Sequence, residues 1–323
     1  MMRNVVFNYV SANPLYSVSW SNRKDKPLRI ATTSFMSQIK NSCEEVIQLN
    51  EQSNQMLKIC DTVIEYPPTK VQFSPDTSVG SRDLLVTGGL KPQIFEIQQN
   101  RMASVAILGA STEALSPCTS LDWNTVNKDR LATCSLDTTV TVWSVETCQP
   151  IKKLIAHDKE VYDVAFAANP DLFGTVGGDG SLRMFDLRSL EHSTILYESQ
   201  GLVPLLRLAW NRFDANYIAT FSADSNKIVV IDARKPAVPY SELALHQSNV
   251  NAICWSPHSS THICSASTDR KALIWDLYPI ESGKPPMVLQ YEASGAVNDV
   301  SWCGTNQDLI CVSVANQVQA IRI

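Results

Sequence analysis

A short apolar run that ends in an aromatic residue recurs seven times along the 323-residue chain. Successive aromatic residues are separated by 43 to 53 residues. A period of this size is typical of repeat architectures, in which each unit cannot bury its own faces and must stack on its neighbours. The seven aromatic positions are Trp20, Phe73, Trp123, Phe166, Trp210, Trp255 and Trp302.

A second feature follows four of these positions. A run of small residues reaches an aspartate, and a large apolar residue comes six or seven positions later. Between the breaks, four to eight strand-forming residues occur in succession, which predicts short β-strands. The aspartates are Asp137, Asp179, Asp224 and Asp269, and the later apolar residues are Trp143, Phe185, Ile231 and Trp275.

The glycine-rich stretch GTVGGDGSLRMFDLR, residues 174–188, could be read as a phosphate-binding loop. Such a loop needs Gly-x-x-x-x-Gly-Lys-Ser/Thr leading into a helix. Here Gly180 is followed by Ser-Leu-Arg-Met-Phe-Asp, which alternates like a strand, and the equivalent segments SLDTT and STDRK contain no glycine. The stretch therefore predicts a hairpin turn in which glycine supplies a positive φ.

Composition restricts the classes of partner. The net charge is -5, which gives no general attraction to nucleic acid, so we expect no direct nucleic-acid binding. No run of about 18 apolar residues occurs, so we expect no membrane span. Nine cysteines are scattered without a Cys-x-x-Cys pair, which favours buried, reduced thiols in the cytoplasm and nucleus. We expect no cofactor.

The repeat length, the Trp-Asp strand endings and the aspartate in the preceding turn resemble the WD40 repeat. The resemblance implies an all-β fold, a single seven-bladed WD40 β-propeller. A ring leaves open edges unless its last blade borrows a strand, so we expect the N-terminal segment 4–10 to close it. The expected blades are 11–62, 66–110, 116–155, 158–198, 203–245, 248–292 and 295–323 plus 4–10.

The WD40 resemblance also implies a hydrogen-bonded His, Ser/Thr, Asp and Trp tetrad in each complete blade. Such groups also resemble a hydrolytic triad, but they recur in several repeats whereas a catalytic triad is built once. We therefore expect no catalytic residue and no enzyme activity. The expected structural residues are His246, Ser265, Asp269 and Trp275 in the sixth repeat, His157, Thr175 and Asp179 in the fourth, and Thr133, Asp137 and Trp143 in the third.

Cys254, His258, His262 and Cys264 lie within eleven residues and could suggest zinc. Their spacing does not match a zinc knuckle, and the cysteines should lie in neighbouring strands. We expect no metal site.

Several longer stretches resemble one WD40 family, which includes the plant transparent-testa-glabra protein and the factor named for association with cullin-4 ligases. They include CTSLDWN from residue 118, HDKEVYDVAF from 157 and GGDGSLRMFDLRSLEHSTI from 177. The resemblance implies a scaffold that binds dual-specificity kinases, MYB and basic helix-loop-helix transcription factors, or the adaptor of a cullin-4 ubiquitin ligase. Asp186 with Arg188 and Asp232 with Arg234 resemble the Trp-Asp-x-Arg adaptor motif without its tryptophan.

Propellers usually bind partners around the central channel. The residue four positions before each recurring aromatic should point there, and aromatic or large apolar members are the best candidates for contact. The competing functions are a propeller enzyme, which would place carboxylates or metal ligands at the channel mouth, and a histone-tail reader, which would need acidic channel residues. This set has no acidic residue. A nucleic-acid reader is disfavoured by the net negative charge. We expect a monomer whose protein-binding residues are Tyr16, Thr69, Thr119, Tyr162, Leu206, Asn251 and Asn298.

Overall fold

The computed structural model describes residues 5–35, 42–109, 116–278 and 287–323. Almost all regular structure in these ranges is β-strand, and a 3-10 helix at Gln200–Leu202 is the exception. The strands up to residue 155 are β1 (Val6–Val10), β2 (Leu15–Trp20), β3 (Arg29–Ser34), β4 (Ser42–Asn50), β5 (Gln55–Ile64), β6 (Val71–Phe73), β7 (Leu84–Thr87), β8 (Gln93–Gln98), β9 (Arg101–Ile107), β10 (Cys118–Trp123), β11 (Arg130–Ser135), β12 (Thr139–Ser144) and β13 (Pro150–Ile155).

The same strand–turn–strand pattern continues to the end of the chain. The remaining strands are β14 (Val161–Phe166), β15 (Leu172–Gly177), β16 (Ser181–Asp186), β17 (Ser189–Glu198), β18 (Leu205–Trp210), β19 (Tyr217–Ser222), β20 (Ile228–Asp232), β21 (Pro239–Leu243), β22 (Val250–Trp255), β23 (His262–Ser267), β24 (Lys271–Asp276), β25 (Met287–Glu292), β26 (Val297–Trp302), β27 (Leu309–Val314) and β28 (Gln317–Arg322).

The strands form seven antiparallel sheets of four strands each. Six sheets take four consecutive strands, from β2–β5 for blade 1 to β22–β25 for blade 6. In these six sheets the first strand is innermost and the fourth is outermost. The predicted all-β, seven-bladed propeller is therefore confirmed.

The seventh blade joins the two ends of the chain. Strand β1 pairs antiparallel with β28, with Val6 opposite Ile321 and Val10 opposite Gln317. This pairing gives the order β1, β28, β27 and β26. Closure by an N-terminal strand is therefore confirmed, although residue 4 of the predicted segment lies outside the described residues.

The hydrophobic core is divided into seven clusters, one between each pair of neighbouring blades. Each cluster contains one of the seven recurring aromatic residues, which packs against the preceding blade. Trp123, for example, is 1% exposed and packs with Ile94 of blade 2. Loss of such a side chain typically costs about 3–5 kcal/mol, so the repeated aromatic residue stabilises the ring at every interface.

The turns between second and third strands require a left-handed residue. Gly180 has φ +76°, and the equivalent Thr138 and Arg270 have φ +70° and +69°. The backbone N–H of Ser181 donates to Asp179 Oδ1 at 3.0 Å. The glycine-rich stretch is therefore a hairpin turn, as predicted.

Blade 1 contains a fully buried carboxyl group on its third strand. Glu44 on β4 is 0% exposed and lies opposite Thr33 on β3. The corresponding third-strand positions in other blades are apolar, such as Val140 and Leu182. Neither carboxyl oxygen of Glu44 has a hydrogen-bond partner within the described ranges, and burial raises its pKa well above 4.5.

Candidate protein-interaction site at the channel mouth

The innermost strands of the seven blades surround a central channel of about 700 Å³. All seven positions predicted to face it line its wall, and each is half-buried. They lie at or just before the beginnings of the innermost strands, at the end of the channel that we call the channel mouth. These residues are Tyr16, Thr69, Thr119, Tyr162, Leu206, Asn251 and Asn298.

Four of the seven residues hydrogen bond to the next blade. Their side chains donate to backbone carbonyl groups at the start of the neighbouring innermost strand. Such bonds stabilise the ring and occupy the polar atoms that would otherwise be available to a partner. The bonds are Thr69 Oγ1 to Cys118 O (2.8 Å), Thr119 Oγ1 to Val161 O (2.5 Å), Asn251 Nδ2 to Val297 O (2.8 Å) and Asn298 Nδ2 to Leu15 O (3.1 Å).

The other three channel-mouth residues present apolar surface. Leu206 and Tyr162 lie on neighbouring blades, while Tyr16 lies across the channel and packs at 6.0 Å, centroid to centroid, on Phe35. Phe35 is 54% exposed. Aromatic side chains in such positions are the usual energetic centres of protein interfaces.

Three acidic side chains also line the channel, deeper than the predicted residues. Asp122, Asp163 and Asp299 all contribute to its wall. The expected lack of acidic residues around the channel therefore holds only for the seven mouth positions. The sequence does carry a signal for them, since each is a charged residue in the middle of an apolar strand.

These aspartates accept hydrogen bonds from the free edge of the next innermost strand. An innermost strand has an unpaired edge, whose N–H groups need acceptors. The carboxylates supply them, which joins neighbouring blades. The backbone donors are Phe166 N to Asp122 Oδ2 (2.8 Å), Leu208 N to Asp163 Oδ2 (2.8 Å) and Val18 N to Asp299 Oδ2 (2.9 Å).

The blade 6 tetrad is complete. Trp275 Nε1 donates to Ser265 Oγ at 2.8 Å, and Ser265 Oγ lies 2.8 Å from His246 Nε2. His246 Nδ1 lies 2.9 Å from Asp269 Oδ2. This series of hydrogen bonds assigns the proton of His246 to Nδ1, so that the serine hydroxyl donates to Nε2. Burial lowers the pKa of His246, which keeps the ring neutral.

Blade 4 forms a shorter network. His157 Nδ1 lies 2.9 Å from Asp179 Oδ1, and Nε2 lies 2.7 Å from Thr175 Oγ1. Phe185 has no N–H to donate. Arg183 Nη2 instead donates to Asp179 Oδ2 at 2.9 Å. The imidazole and carboxylate are thus held within the blade.

Blade 3 retains only the tryptophan bond. Trp143 Nε1 donates to Thr133 Oγ1 at 2.8 Å. Asp137 accepts from Thr139 and pairs with Lys153 at 3.1 Å, since this repeat has no histidine. The three blades therefore carry complete, shortened and partial versions of one structural network.

The two Asp–Arg pairs lie at the opposite end of the ring. Each aspartate ends a third strand, and its arginine forms an ion pair with it: Asp186 with Arg188 at 2.6 Å and Asp232 with Arg234 at 2.7 Å. Both arginines are exposed, at 66% and 59% of their side chains. They are available to a partner that does not cover the channel mouth.

The cysteines and histidines around residue 258 bond to separate groups. His258 Nε2 lies 2.8 Å from Cys303 O, and His262 Nδ1 lies 2.8 Å from Ser259 Oγ. Cys254 faces Cys264 across neighbouring strands. The structure does not bring the four side chains into one ligand set.

Comparison with known proteins adds an independent observation. Residues 148–186 and 238–276, which include most of blades 4 and 6, match the WD40 family, described as WD domain, G-beta repeat. The DDB1- and CUL4-associated factor 7 homolog of Dictyostelium discoideum is 44% identical over 327 residues, covering 100% of both chains. The chain belongs to the DDB1- and CUL4-associated factor 7 family.

Two further relatives match most of this chain at lower identity. WD repeat-containing protein YPL247C of Saccharomyces cerevisiae is 33% identical over 312 residues, which are 84% of this chain and 58% of the yeast protein. Histone acetyltransferase type B subunit 2 of Candida glabrata is 23% identical over 303 residues, 87% of this chain and 70% of that protein. Within its described residues, this member of the factor 7 family has no helix with the length and hydrophobicity needed to cross a membrane.

Proposed function

We propose that this chain is a non-catalytic scaffold that binds partner proteins at the channel mouth through Tyr16, Tyr162 and Leu206. The observation that supports this function is the division among the seven mouth residues. Four have their polar atoms bonded to the next blade, whereas these three leave half-buried apolar surface around one opening. That arrangement fits an anchor side chain from a partner.

The partner classes come from family resemblance. We propose dual-specificity kinases, or MYB and basic helix-loop-helix transcription factors as for the plant transparent-testa-glabra protein, as ligands of a monomeric scaffold. We place it in the cytoplasm and nucleus. Nine free cysteines, most of them buried, support a reducing compartment.

A second candidate is the substrate receptor of a cullin-4 ubiquitin ligase. The name of the Dictyostelium relative associates that protein with DDB1 and CUL4. In this chain, Arg188 and Arg234 are exposed at the end opposite the channel mouth. An adaptor bound there would leave the channel mouth free for a substrate. A propeller enzyme is less well supported, because the channel aspartates are occupied by backbone N–H groups.

Affinity purification from cells of the source organism tests the channel mouth. The Tyr162→Ala, Leu206→Ala double variant should lose partners that the wild type retains. Phe213→Ala with Val126→Ala is the matched control, because both residues are exposed in loops at the opposite end. Equal recovery with both double variants would refute binding at the mouth.

The receptor function has a separate test. Arg188→Ala with Arg234→Ala should lose the cullin-4 adaptor while retaining channel-mouth partners. Retention of the adaptor at wild-type levels would exclude these arginines as its contact. Lys227→Ala is a suitable control, since it removes an exposed cation that pairs with Glu242.

A further inference from the structure

Arg207 is a half-buried cation directly beside the channel mouth. Its Nη2 donates to Tyr16 Oη at 3.2 Å, and its Nη1 donates to Tyr162 O at 3.4 Å and Leu206 O at 3.3 Å. All three acceptors are neutral and all three bonds are long. Among the residues that the structure describes, no carboxylate lies within ion-pair distance of the guanidinium, and its Nε–H has no acceptor.

The nearby channel carboxylates are already occupied. Asp163 accepts from Ser120, Lys70 and the backbone of the next blade, and Asp299 accepts from Ser17 and two backbone N–H groups. Burial also raises the pKa of Asp299, which favours its neutral form. The channel wall is therefore not dominated by negative charge, because Lys70 and Arg207 offset its carboxylates.

Apolar side chains lie on two sides of Arg207. The rings of Tyr16 and Phe35 pack together on one side, and Tyr162 with Leu206 lie on the other. A guanidinium flanked by apolar side chains is a strong site for a carboxylate, because a bidentate pair forms there in partly desolvated surroundings.

We propose that the channel mouth recognises an extended partner segment in which an acidic residue stands next to a large apolar residue. The carboxylate would bind Arg207, and the apolar side chain would pack between Tyr16 and Leu206. This inference rests on the proposed function, since it specifies the ligand of the same mouth. The requirement for an acidic residue distinguishes this proposal from a mouth that recognises hydrophobic surface alone.

The experiment uses two blocked dipeptides as probes, acetyl-Glu-Phe-amide and acetyl-Gln-Phe-amide, titrated into the full chain and followed by NMR. The Glu peptide should bind saturably at millimolar concentration and about tenfold more tightly than the Gln peptide, as expected for a hydrogen bond to a charged group. Arg207→Gln should reduce Glu-peptide binding to the level of the Gln peptide. Arg207→Lys should give an intermediate value, since it keeps the charge but not the fork.

Three results would overturn the inference: no binding of the Glu peptide, equal binding of the two peptides, or unchanged Glu-peptide binding by Arg207→Gln. Thermal unfolding of each variant checks that the ring is intact, and Lys70→Gln controls for a general loss of positive charge. If purification shows partners lost by Tyr162→Ala, Leu206→Ala but kept by Arg207→Gln, the scaffold proposal stands and the acidic ligand is wrong. If both variants keep all partners, the scaffold proposal itself fails at this face.

Discussion

Replacing Glu44 by leucine should stabilise this propeller, and by more at neutral pH than in mild acid. The carboxyl group is fully buried, has no hydrogen-bond partner in the described part of the chain, and occupies a position where other blades have Val140 or Leu182. Its ordinary pKa is 4.5, and burial raises the folded-state pKa well above that value. Leucine has a similar volume and is the residue type that blade 4 carries at this position, as Leu182.

The magnitude follows from proton linkage. Above pH 4.5 the unfolded chain loses the Glu44 proton while the folded chain keeps it. The free energy of unfolding then falls by about 1.4 kcal/mol per pH unit until the folded-state pKa is reached. An unpaired buried polar group costs a further 1–3 kcal/mol or so at any pH. The stability gain of Glu44→Leu should therefore be at least about 1 kcal/mol in mild acid. It should grow as the pH rises toward 7, by up to about 1.4 kcal/mol per pH unit.

Urea unfolding at half-unit steps from pH 5 to 8 measures both quantities. Glu44→Gln separates them, because it removes the titration but keeps a polar group in the same place. Glu242→Gln, at a half-exposed side chain paired with Lys227, is the control. A Glu44→Leu protein that is less stable than wild type at pH 7, or a Glu44→Gln protein with an unchanged pH slope, would refute the reasoning.

Three further predictions concern turns and tetrads. Ser265→Ala should lower the free energy of unfolding by about 2–4 kcal/mol, because it leaves His246 Nε2 and Trp275 Nε1 unpaired in the core; a loss below about 1 kcal/mol in chemical denaturation would contradict this. Thr138→Gly should raise stability by roughly 1 kcal/mol, since a β-branched residue is strained at φ +70°, and an unchanged melting temperature would count against it. Burial lowers the pKa of His246 below 6.5, so the folded state resists protonation and the free energy of unfolding falls as the pH drops below that value. His246→Gln should therefore lose less stability than wild type between pH 6.5 and 5. Identical slopes of unfolding free energy against pH for the two proteins would exclude the histidine as the cause.

The ring and its tetrads could be predicted from sequence because each depends on a local pattern that repeats. The spacing from Asp269 to Trp275, for instance, is set by one turn and one strand. The same reasoning correctly placed Tyr162 at the channel, since alternation along β14 fixes which side chains line it. Whether these side chains bind partners remains a prediction.

The inter-blade contacts could not be predicted in this way. Asp163 is explained only when Leu208 N, 45 residues away in sequence, is seen at the free edge of β18. Arg207 likewise reaches Tyr16 across the ring, 191 residues away. The burial of Glu44 could not be predicted, because the repeat pattern is weak in the first blade. Long-range geometry, rather than local propensity, decides the contacts of Asp163 and Arg207.

The pairing of β1 with β28 has a consequence for how the protein is made. Until residue 322 has left the ribosome, Phe7 and its strand have nothing to hydrogen bond with, and six sheets stand beside a gap. The apolar surfaces that flank this gap stay exposed to solvent until β28 has been made. The circle can therefore close only after β28 has been made, and the nascent chain is most prone to aggregate just before that point.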